Sequence, residues 1–500
     1  MKKQLGLLLF IFLIPGVALS QAVQPNILMI AVDDLNDWVG VYGGHPQCKT
    51  PHIDKLARTS MVFHNASCPG PVCGSSRSAL LSGFMPATTG VYGNSNNMLE
   101  SSIVQTHVTL PEYFSKHGYL TISKGKIFHK HTTKHGVDEG QWAFDIWDKA
   151  RGRGGVQPEN FFSRNQGIVA GKRLEHAKFK GKGTPFEFGP TKEGKVVTKD
   201  YQTAKWFEQQ LKQDYDKPFF MAVGISKPHL PFVVPQEYFD LYDRDAVQIP
   251  EYRLDDLDDI VDGKGKKKFD AHLDFLWCQE YGTFKDAVRA YMAAVTYADE
   301  CVGVVLDALA RSQYAENTIV ILWGDHGWHL GEKLKFRKAA LWRESTQLPF
   351  IIHVPGMADR KDCRRNVNLI DLYPTLIDLC DLPPKELDGK SVRPLLENPT
   401  TEWTPTLTTG GKGNHSVISQ EWHYIVYRDG TEELYDLRED PMEWTNLANN
   451  QSEKIASAKI YLRSFLPKQE AAEIPKSVKS KQIKTLDQTI KARRSRESLK

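Results

Sequence analysis

The chain has 500 residues, a formal net charge of +3 at pH 7, and hydrophobic residues at 41% of its positions. That length is sufficient for a large core and for two or three domains. The positive charge is concentrated near the C-terminus, because residues 468–500 hold ten lysines or arginines against four acidic residues. The body of the chain is therefore net acidic, and we expect no nucleic-acid partner.

The two ends of the chain differ from its body. Residues 1–20 combine Lys2 and Lys3 with an apolar run and small residues, which is typical of a secretory signal peptide. We therefore expect an exported protein, periplasmic or secreted. No other run reaches the ~20 apolar residues that a membrane helix needs, so we expect no membrane span. We interpret residues 468–500 as a solvated, disordered basic tail, with contact to an anionic polymer as the alternative.

Short apolar runs alternate with helical patterns along the body, which predicts an α/β fold with helices on both faces of a sheet. Four of these runs are predicted to be buried strands that end directly in polar groups. They are residues 26–32, 119–123, 218–225 and 318–323. Because ligands bind outside the carboxyl ends of the strands in open α/β sheets, we expect the four polar groups to meet.

Two of these strand ends supply candidate metal ligands. Asp33 and Asp34 follow the first strand, and Asp325 and His326 follow the last. Carboxylate oxygens suit calcium or magnesium, and calcium is favoured because it tolerates irregular, higher coordination. The alternative is that the aspartates are ordinary turn or helix-cap residues.

The other two strand ends carry cationic side chains. Lys126 and His129 follow the strand at 119–123, and His229 follows the strand at 218–225. Taken singly, each histidine is more often a hydrogen-bonded structural residue than a catalytic one. The coincidence of four polar strand ends favours a joint role in catalysis.

A cysteine motif occupies residues 72–83, VCGSSRSALLSG, where Cys73 is followed four residues later by Arg77 and then by an apolar helical run. The motif resembles the signature of type I sulfatases, although the middle position, usually proline or alanine in that family, is Ser75 here. In the family the cysteine is oxidised to formylglycine. One hydroxyl of the hydrated aldehyde attacks sulfur and the other later expels sulfate. The alternative is a buried structural cysteine before a helix.

Further blocks extend this resemblance between residue 24 and about residue 450, in the same order as in the family. The main blocks are NILMIAVDDLNDW, CGSSR, GKIFH, KPHLPF and WGDHGWHLGE. They are most similar to the branch of the type I (formylglycine-dependent) sulfatases that contains iduronate-2-sulfatase and bacterial polysaccharide sulfatases. The resemblance implies an alkaline-phosphatase-like sandwich with a large mixed central sheet flanked by helices. A catalytic domain is then expected at 21–370 and a smaller C-terminal subdomain with an antiparallel sheet at 371–467.

The same resemblance implies one calcium ion, with magnesium less suited, and a formylglycine-generating or sulfatase-maturating enzyme as a partner. The metal ligands would be Asp33, Asp34, oxidised Cys73, Asp325 and His326. A helix that is expected to begin near Ser76 would point its N-terminus at the anion. With Cys73 oxidised, six cysteines remain, and their wide spacing indicates reduced core residues with at most a pair or two of disulfides.

Five further side chains would act on the nucleophile and on sulfate. Arg77 would hold the formylglycine hydrate and offset the charge near it. Lys126 and His129 would contact the nucleophile and sulfate, and His229 and Lys338 would bind sulfate from the leaving-group side. His229 is the expected general acid, because a breaking sulfate ester gains charge on its bridging oxygen.

We therefore expect an exported calcium-dependent sulfatase that removes sulfate esters from a polysaccharide or its oligosaccharides. Candidate sugar-contacting residues are His45, Asn94, residues 141–153, Trp328 and His329. One alternative is a phosphatase or phosphodiesterase of the same superfamily with two zinc ions, for which His329 is the obvious extra ligand. The other is a non-catalytic protein that binds sulfated glycans, if Cys73 stays unmodified.

Overall fold

The computed structural model describes residues 24–129, 132–133, 136–137, 141–148 and 158–474. The predicted signal peptide at 1–20, the predicted tail beyond residue 474 and positions 149–153 of the candidate sugar-contacting stretch lie outside these ranges. Within them, no helix has both the length and the apolar character needed to cross a membrane.

The strands are numbered in chain order. They are β1 Asn26–Val32, β2 Met61–Ser67, β3 Leu120–Gly125, β4 Thr132–Thr133, β5 Gly136–Val137, β6 Ile146–Asp148, β7 Phe162–Ser163, β8 Ile168–Val169, β9 Lys172–Arg173, β10 Glu187–Thr191, β11 Phe219–Ile225, β12 Phe232–Pro235, β13 Thr318–Gly324, β14 His329–Leu330, β15 Phe336–Arg337, β16 Phe350–His353, β17 Lys361–Asn368, β18 Thr406–Thr409, β19 His415–Ile418, β20 Trp422–Val426 and β21 Glu432–Asp436.

The α-helices are numbered in the same way. They are α1 Pro51–Ala57, α2 Cys73–Ser82, α3 Pro86–Thr89, α4 Ser102–Thr106, α5 Leu110–Lys116, α6 Lys199–Gln210, α7 Gln236–Phe239, α8 Leu273–Tyr281, α9 Phe284–Ala310, α10 Arg343–Thr346, α11 Leu372–Leu379, α12 Arg393–Glu397 and α13 Glu453–Arg463.

Eight strands form the central sheet, in the order β17-β2-β16-β13-β1-β11-β3-β6. The four strands β13, β1, β11 and β3 run parallel, whereas β16 runs antiparallel to both of its neighbours. Every residue of β1, β11 and β13 is buried, as expected for central strands that are covered on both faces. The predicted large mixed sheet is confirmed, and all four predicted strands are present.

Alternate residues of β1 enter two separate cores. Leu28 and Ile30 pack into the core that contains α6 and α9, and Met29 and Ala31 pack into the core that contains α2 and α11. This alternation follows from the period of two in a strand, and it places helices on both faces of the sheet. The predicted sandwich is therefore the observed architecture.

A second sheet follows near the C-terminus, with four antiparallel strands in the order β18-β19-β20-β21. Helix α13 packs on it through Ile455 and Leu462, which confirms the predicted C-terminal antiparallel sheet. Helices α11 and α12 share the buried core of the central sheet. The C-terminal sheet itself thus begins at Thr406, well after the subdomain boundary expected at residue 371.

The described part of the predicted tail is not free of the domain. The Ala471 N–H donates to the Ala87 carbonyl at 2.7 Å, and the Ile474 N–H donates to the Gly90 carbonyl at 3.1 Å. Because Ile474 also packs against the core of the central sheet, residues 471–474 are held against the domain. All seven cysteines are buried and unpaired, as expected for reduced core residues.

Candidate active site

The carboxyl ends of β13, β1, β11 and β3 lie side by side at one edge of the central sheet. The register pairs Val32 of β1 with Ile225 of β11 and with Gly324 of β13. It also pairs Gly125 of β3 with Gly224 of β11. The polar groups that follow the four strands therefore meet in one place.

Two glycines allow the ends of β3 and β11 to approach closely. Gly125 has a φ of +87°, and a Cβ built on it would lie 1.9 Å from the Gly224 carbonyl oxygen. A Cβ on Gly224 would lie 2.1 Å from the backbone nitrogen of Lys126. A side chain at either position would push the strand ends apart, so the two glycines keep Lys126 close to the end of β11.

Two overlapping groups of potential metal ligands lie at this edge, and within each group the ligand atoms lie within 4.8 Å of one another. The first group is Asp33, Asp34, Cys73 and His229, and the second is Asp34, Cys73, Asp325 and His326. Because Asp34 and Cys73 belong to both groups, the ligands form one centre.

Asp34 lies in the middle of this centre. Its φ of +62° is a left-handed conformation that is uncommon for a non-glycine residue and clusters at functional sites. The Tyr291 hydroxyl donates to the Asp34 carbonyl at 2.8 Å, and the Asp34 N–H donates to Asp325 Oδ1 at 3.0 Å. The buried Oδ2 of Asp34 has no hydrogen-bond partner within the described ranges. A buried carboxylate oxygen of this kind fits a metal ion.

His326 is held in the orientation of a metal ligand. Its Nδ1 lies 2.9 Å from the Gly327 carbonyl, which assigns a proton to Nδ1 and directs Nε2 towards the carboxylates. Nε2 lies 3.3 Å from Asp34 Oδ1 and 3.5 Å from Asp325 Oδ1. Burial lowers the pKa of His326, but Asp325 and Cys73 together outweigh it and raise the pKa to about 9. A metal cation bound at Nε2 would replace the proton that this nitrogen carries in the charged imidazole.

Cys73 is the first residue of α2, so the helix begins three residues before the start expected near Ser76. The Gly74 N–H at this end donates to Asn94 Oδ1 at 2.7 Å. The remaining N–H groups of the first turn and the helix dipole favour an anion beside Cys73. Cys73 lies at the tip of the helix, and the expected anion at this helix start stays a prediction.

The Cys73 thiol is enclosed by charged and metal-ligating side chains. Its fully buried Sγ lies 3.0 Å from Lys338 Nζ, 3.3 Å from His326 Nε2 and 3.7 Å from Asp34 Oδ1. Burial raises the pKa of the thiol, but Lys126 and Lys338 outweigh it and hold the pKa well below its usual value. The surroundings of residue 73 thus stabilise negative charge on the attached atom.

Arg77 contacts two of the potential metal ligands, and its expected contact with a formylglycine hydrate stays a prediction. Its Nε donates to Asp325 Oδ2 at 2.8 Å and its Nη2 donates to Asp33 Oδ1 at 3.1 Å. Its Nη1 donates to the carbonyls of Lys126 and of the next residue at 2.6 and 3.0 Å. Four of the five N–H donors are therefore used. Arg77 orients two ligands and holds the loop that carries Lys126.

Two lysines and a histidine lie around Cys73. Lys126 Nζ donates to Asp33 Oδ2 at 2.5 Å, and Lys338 Nζ donates to Asp34 Oδ1. Burial lowers the pKa of each lysine, but the neighbouring carboxylates outweigh it and raise the pKa of both, so both remain charged. Burial lowers the pKa of His129 to about 4, so its imidazole is neutral.

His229 lies at the solvent side of the centre, with 38% of its side chain exposed. Its Nε2 lies 3.9 Å from Asp34 Oδ2, and its Nδ1 lies 2.6 Å from the Leu230 carbonyl. Burial lowers the pKa of His229, but Asp34 and Asp33 outweigh it and raise the pKa. The raised pKa keeps a proton available on the imidazole.

Sequence reasoning missed two residues that support His229. The carboxylate of Asp200, in the first turn of α6, accepts the Ser226 N–H at 3.0 Å and the Lys227 N–H at 2.9 Å. Lys227 Nζ donates to the carbonyls of His229 at 3.2 Å and Pro231 at 2.5 Å. Asp200 has the pattern of an ordinary acidic residue at a helix start. Only the fold shows that it holds this loop.

Several of the candidate sugar-contacting residues have structural roles. Asn94 Oδ1 accepts the Gly74 N–H in the first turn of α2. His45 is buried, with its ring 4.3 Å from that of Trp38. Trp328 is also buried, with Lys338 Nζ 5.3 Å from its ring centre. His329 is buried and belongs to neither ligand group, so it provides no second metal site within the described ranges.

Carboxylates and lysines gather around Cys73, at a helix start and at the end of a mixed α/β sheet. This arrangement is the one expected of a hydrolase of oxyanion esters. The family described as "Sulfatase" matches residues 25–382, and the family described as "N-sulphoglucosamine sulphohydrolase, C-terminal" matches residues 324–470. The chain belongs to the sulfatase family, and it is a sulfuric ester hydrolase.

Relatives with established names support this assignment. A protein of Formosa agariphila described as a sulfatase is 37% identical over 456 residues, which cover 90% of this chain and 87% of that protein. Iduronate 2-sulfatase of Mus musculus is 30% identical over 398 residues, which cover 72% of this chain and 69% of that protein. The resemblance to the iduronate-2-sulfatase branch is therefore confirmed.

The fold extends to a related hydrolase. The crystal structure of the phosphonate monoester hydrolase of Agrobacterium radiobacter matches with a TM-score of 0.67 at 19% identity, covering 90% of this chain and 100% of that chain. At this identity the match establishes the fold, which is the alkaline-phosphatase-like sandwich that the sequence predicted.

Proposed function

We propose that the protein is an exported sulfatase that hydrolyses sulfate esters of a sulfated polysaccharide or its oligosaccharides, with a formylglycine made from Cys73 and with calcium. The observation that carries this proposal is the 3.0 Å contact between Lys338 Nζ and Cys73 Sγ inside a group of metal-ligand side chains. The sugar-acid substrate in the name of the mouse relative supports the carbohydrate class. Residues 1–20 support export.

The metal would be held by carboxylate oxygens and one imidazole nitrogen. Its ligands would be Asp33, Asp34, Asp325, His326 and oxidised residue 73. Oxygen ligands favour calcium over zinc, with magnesium less suited because it demands a more regular octahedron. When bound, the ion would offset the charge of the sulfate oxygens and of the nucleophile.

Residue 73 would act after oxidation by a formylglycine-generating or sulfatase-maturating enzyme. Its hydrate would supply one hydroxyl to attack sulfur and a second to release sulfate. Lys126 and Lys338 lower the pKa of the thiol, and by the same charge effect they would favour a deprotonated hydroxyl at this place. The neutral imidazole of His129 is suited to accept a proton from the hydrate.

The leaving group would depart on the exposed side of the centre. His229 would protonate the bridging oxygen, since its raised pKa keeps a proton on the ring and its side chain faces solvent. Lys338 would offset charge on the sulfate oxygens. Asp200 and Lys227 would hold the His229 backbone in place through the hydrogen bonds described above.

The two alternative functions receive less support. A two-zinc phosphatase needs a second ligand set, and the two ligand groups share Asp34 and Cys73. A non-catalytic glycan-binding protein would not need buried lysines directed at Cys73, since burying charge is costly.

Release of sulfate from a panel of defined sulfated oligosaccharides tests this function, with nitrophenyl sulfate and nitrophenyl phosphate as matched small substrates. The protein is co-expressed with a maturating enzyme, and Cys73→Ala is the control. We expect desulfation of at least one oligosaccharide, and far higher activity on the aryl sulfate than on the aryl phosphate. Preference for the phosphate would support the phosphatase instead, and absence of activity on all substrates would contradict catalysis.

A further inference from the structure

A groove beside the C-terminal sheet has the side chains needed to bind a sulfated sugar. It lies between β17, at the edge of the central sheet, and the C-terminal subdomain, and its volume is about 510 Å³. Small-molecule sites typically span ~300–1,000 Å³. The aromatic and cationic residues of its lining are Arg365, Trp403, Trp422, Arg438, Lys454 and Tyr461.

The aromatic side is built by regular structure. Lys454, Ser457, Ala458 and Tyr461 line the groove at helical spacing, so one face of α13 forms this wall. Tyr461 is 52% exposed and touches Phe465 edge-to-face at 5.2 Å. A half-exposed aromatic ring on a helix face offers an apolar surface on which a sugar ring can stack.

The cationic side is supplied by three residues. Arg365 donates to Gln420 Oε1 at 2.7 Å and to the Thr400 carbonyl, and both acceptors are neutral. Its guanidinium charge is therefore not offset by these partners, and a planar guanidinium can bind sulfate through two hydrogen bonds.

Arg438 and Lys454 lie over the ring of Trp422, at 5.3 and 5.0 Å from its centre. Both also pair with Asp436, at 2.7 and 3.0 Å. The groove lining itself contains three cationic side chains and one acidic side chain, Glu421. Arg438 pairs with Glu421 as well, at 3.0 Å. Asp436 and Glu421 thus offset the charges of Arg438 and Lys454, and Arg365 is the cation of the lining whose hydrogen-bond partners are neutral.

We propose that this groove is a second, non-catalytic binding site for a sulfated carbohydrate, with a sulfate group at Arg365 and a sugar ring on Tyr461. The choice of ligand rests on the proposed function. Strand β18 leads from Pro405 in the groove wall to Thr409, whose N–H donates to the Pro69 carbonyl at 3.0 Å in the loop before Cys73. Four residues at ~3.3 Å each place the two ends about 13 Å apart along the strand.

The second site would retain a polymer near the catalytic centre. A chain that is bound at one site meets the other at a raised effective concentration, so occupancy of the groove would favour long substrates. Small sulfate esters, which cannot reach both sites, would gain nothing from it.

Binding to dextran sulfate and to unmodified dextran tests the proposal, measured by retardation in native gels at physiological salt. Every protein is the full chain with Cys73→Ala, so that no turnover occurs and the basic tail is common to all. The test variant adds Arg365→Gln and Tyr461→Ala. The control adds Arg393→Gln, which removes one charge from an exposed arginine outside the groove. Tyr461→Ala alone is a further variant, at an exposed helical position that tolerates alanine.

We expect the double variant to bind dextran sulfate roughly tenfold more weakly, with a smaller loss for Tyr461→Ala and none for Arg393→Gln. Unmodified dextran should not retard any of the proteins. Equal affinity of the double variant and the control would overturn the proposal. Because binding is measured without turnover, failure of the proposed hydrolysis would leave this result interpretable. In matured protein with Cys73 intact, the double variant should keep full activity on nitrophenyl sulfate, and a loss there would indicate a folding defect.

Discussion

The Nζ of Lys338 lies 3.0 Å from the Sγ of Cys73, although 265 residues separate the two in the chain. The contact joins the loop after β15 to the first residue of α2. It places a cation beside Cys73 and Asp34. Substitutions at Lys338 therefore report directly on the charge that develops there.

Lys338→Ala should reduce kcat by about 10²–10³-fold, as expected for the loss of one preorganised donor to a developing oxyanion. Lys338→Arg should retain part of the activity, because it keeps the charge but changes the geometry. Steady-state kinetics on nitrophenyl sulfate measure both, with Lys361→Ala as a control on the exposed part of β17. Wild-type kcat in Lys338→Ala would exclude a role in catalysis.

Calcium should stabilise the protein as well as activate it. At a calcium concentration 100-fold above the dissociation constant, we expect about 2.7 kcal/mol of added stability. Asp325→Asn should reduce this gain, since it removes one charged ligand of the group that contains Asp34 and His326. Thermal unfolding with and without calcium measures the effect, and chelation should abolish activity that calcium then restores. Two bound zinc ions in the active protein would favour the phosphatase.

His229→Ala should lose far more activity on a sulfated sugar than on nitrophenyl sulfate. A sugar alkoxide is a poor leaving group and needs a proton, whereas nitrophenolate needs little assistance. The ratio of kcat/KM values on the two substrates measures this difference. Equal losses on both would mean that His229 binds sulfate and does not donate the proton.

Asp200→Ala should change substrate preference in the same direction as His229→Ala, but by a smaller factor. Loss of the carboxylate leaves the Ser226 and Lys227 N–H groups without their acceptor, which costs about 1–3 kcal/mol of stability. It should also lower the ratio of activity on sugar sulfate to activity on nitrophenyl sulfate, with partial rescue in Asp200→Asn.

Asp299 offers a matched control for that prediction. Its buried carboxylate also accepts two consecutive backbone N–H groups, those of His52 at 3.1 Å and Ile53 at 2.8 Å, away from the site. Asp299→Ala should therefore lose similar stability without a change in substrate preference. If both variants changed the preference equally, Asp200 would have a merely structural role.

Much of the site follows from local sequence signals. The apolar runs predict β1, β11 and β13 because central parallel strands need uninterrupted apolar residues, and parallel strand ends then bring Asp33 and Asp325 together. The described residues of the C-terminal sheet also match the expected antiparallel arrangement. These features depend on hydrophobic periodicity and on strand direction, and both can be predicted from short segments of the sequence.

The remaining features depend on long-range contacts. Arg77 contacts Asp33 and Asp325, and the spacing from Cys73 alone gives no sign of those partners. Likewise, Trp328 is an aromatic residue of the type that stacks on sugar rings, but it is buried in the core. Asp200 supports the loop of His229 from a separate helix. The burial of a single side chain and its tertiary partners leave no periodic pattern in the sequence. They can therefore be identified only in the folded structure.

The most direct test of a formylglycine-dependent mechanism is peptide mass spectrometry of residue 73 in active protein, produced with a maturating enzyme and compared with protein produced without one. We expect formylglycine at position 73 in the active sample, with oxygen in place of sulfur, and activity in proportion to the modified fraction. Cys73→Ala should be inactive in both preparations. Full sulfatase activity from protein that retains an unmodified Cys73, or from Cys73→Ala, would contradict it.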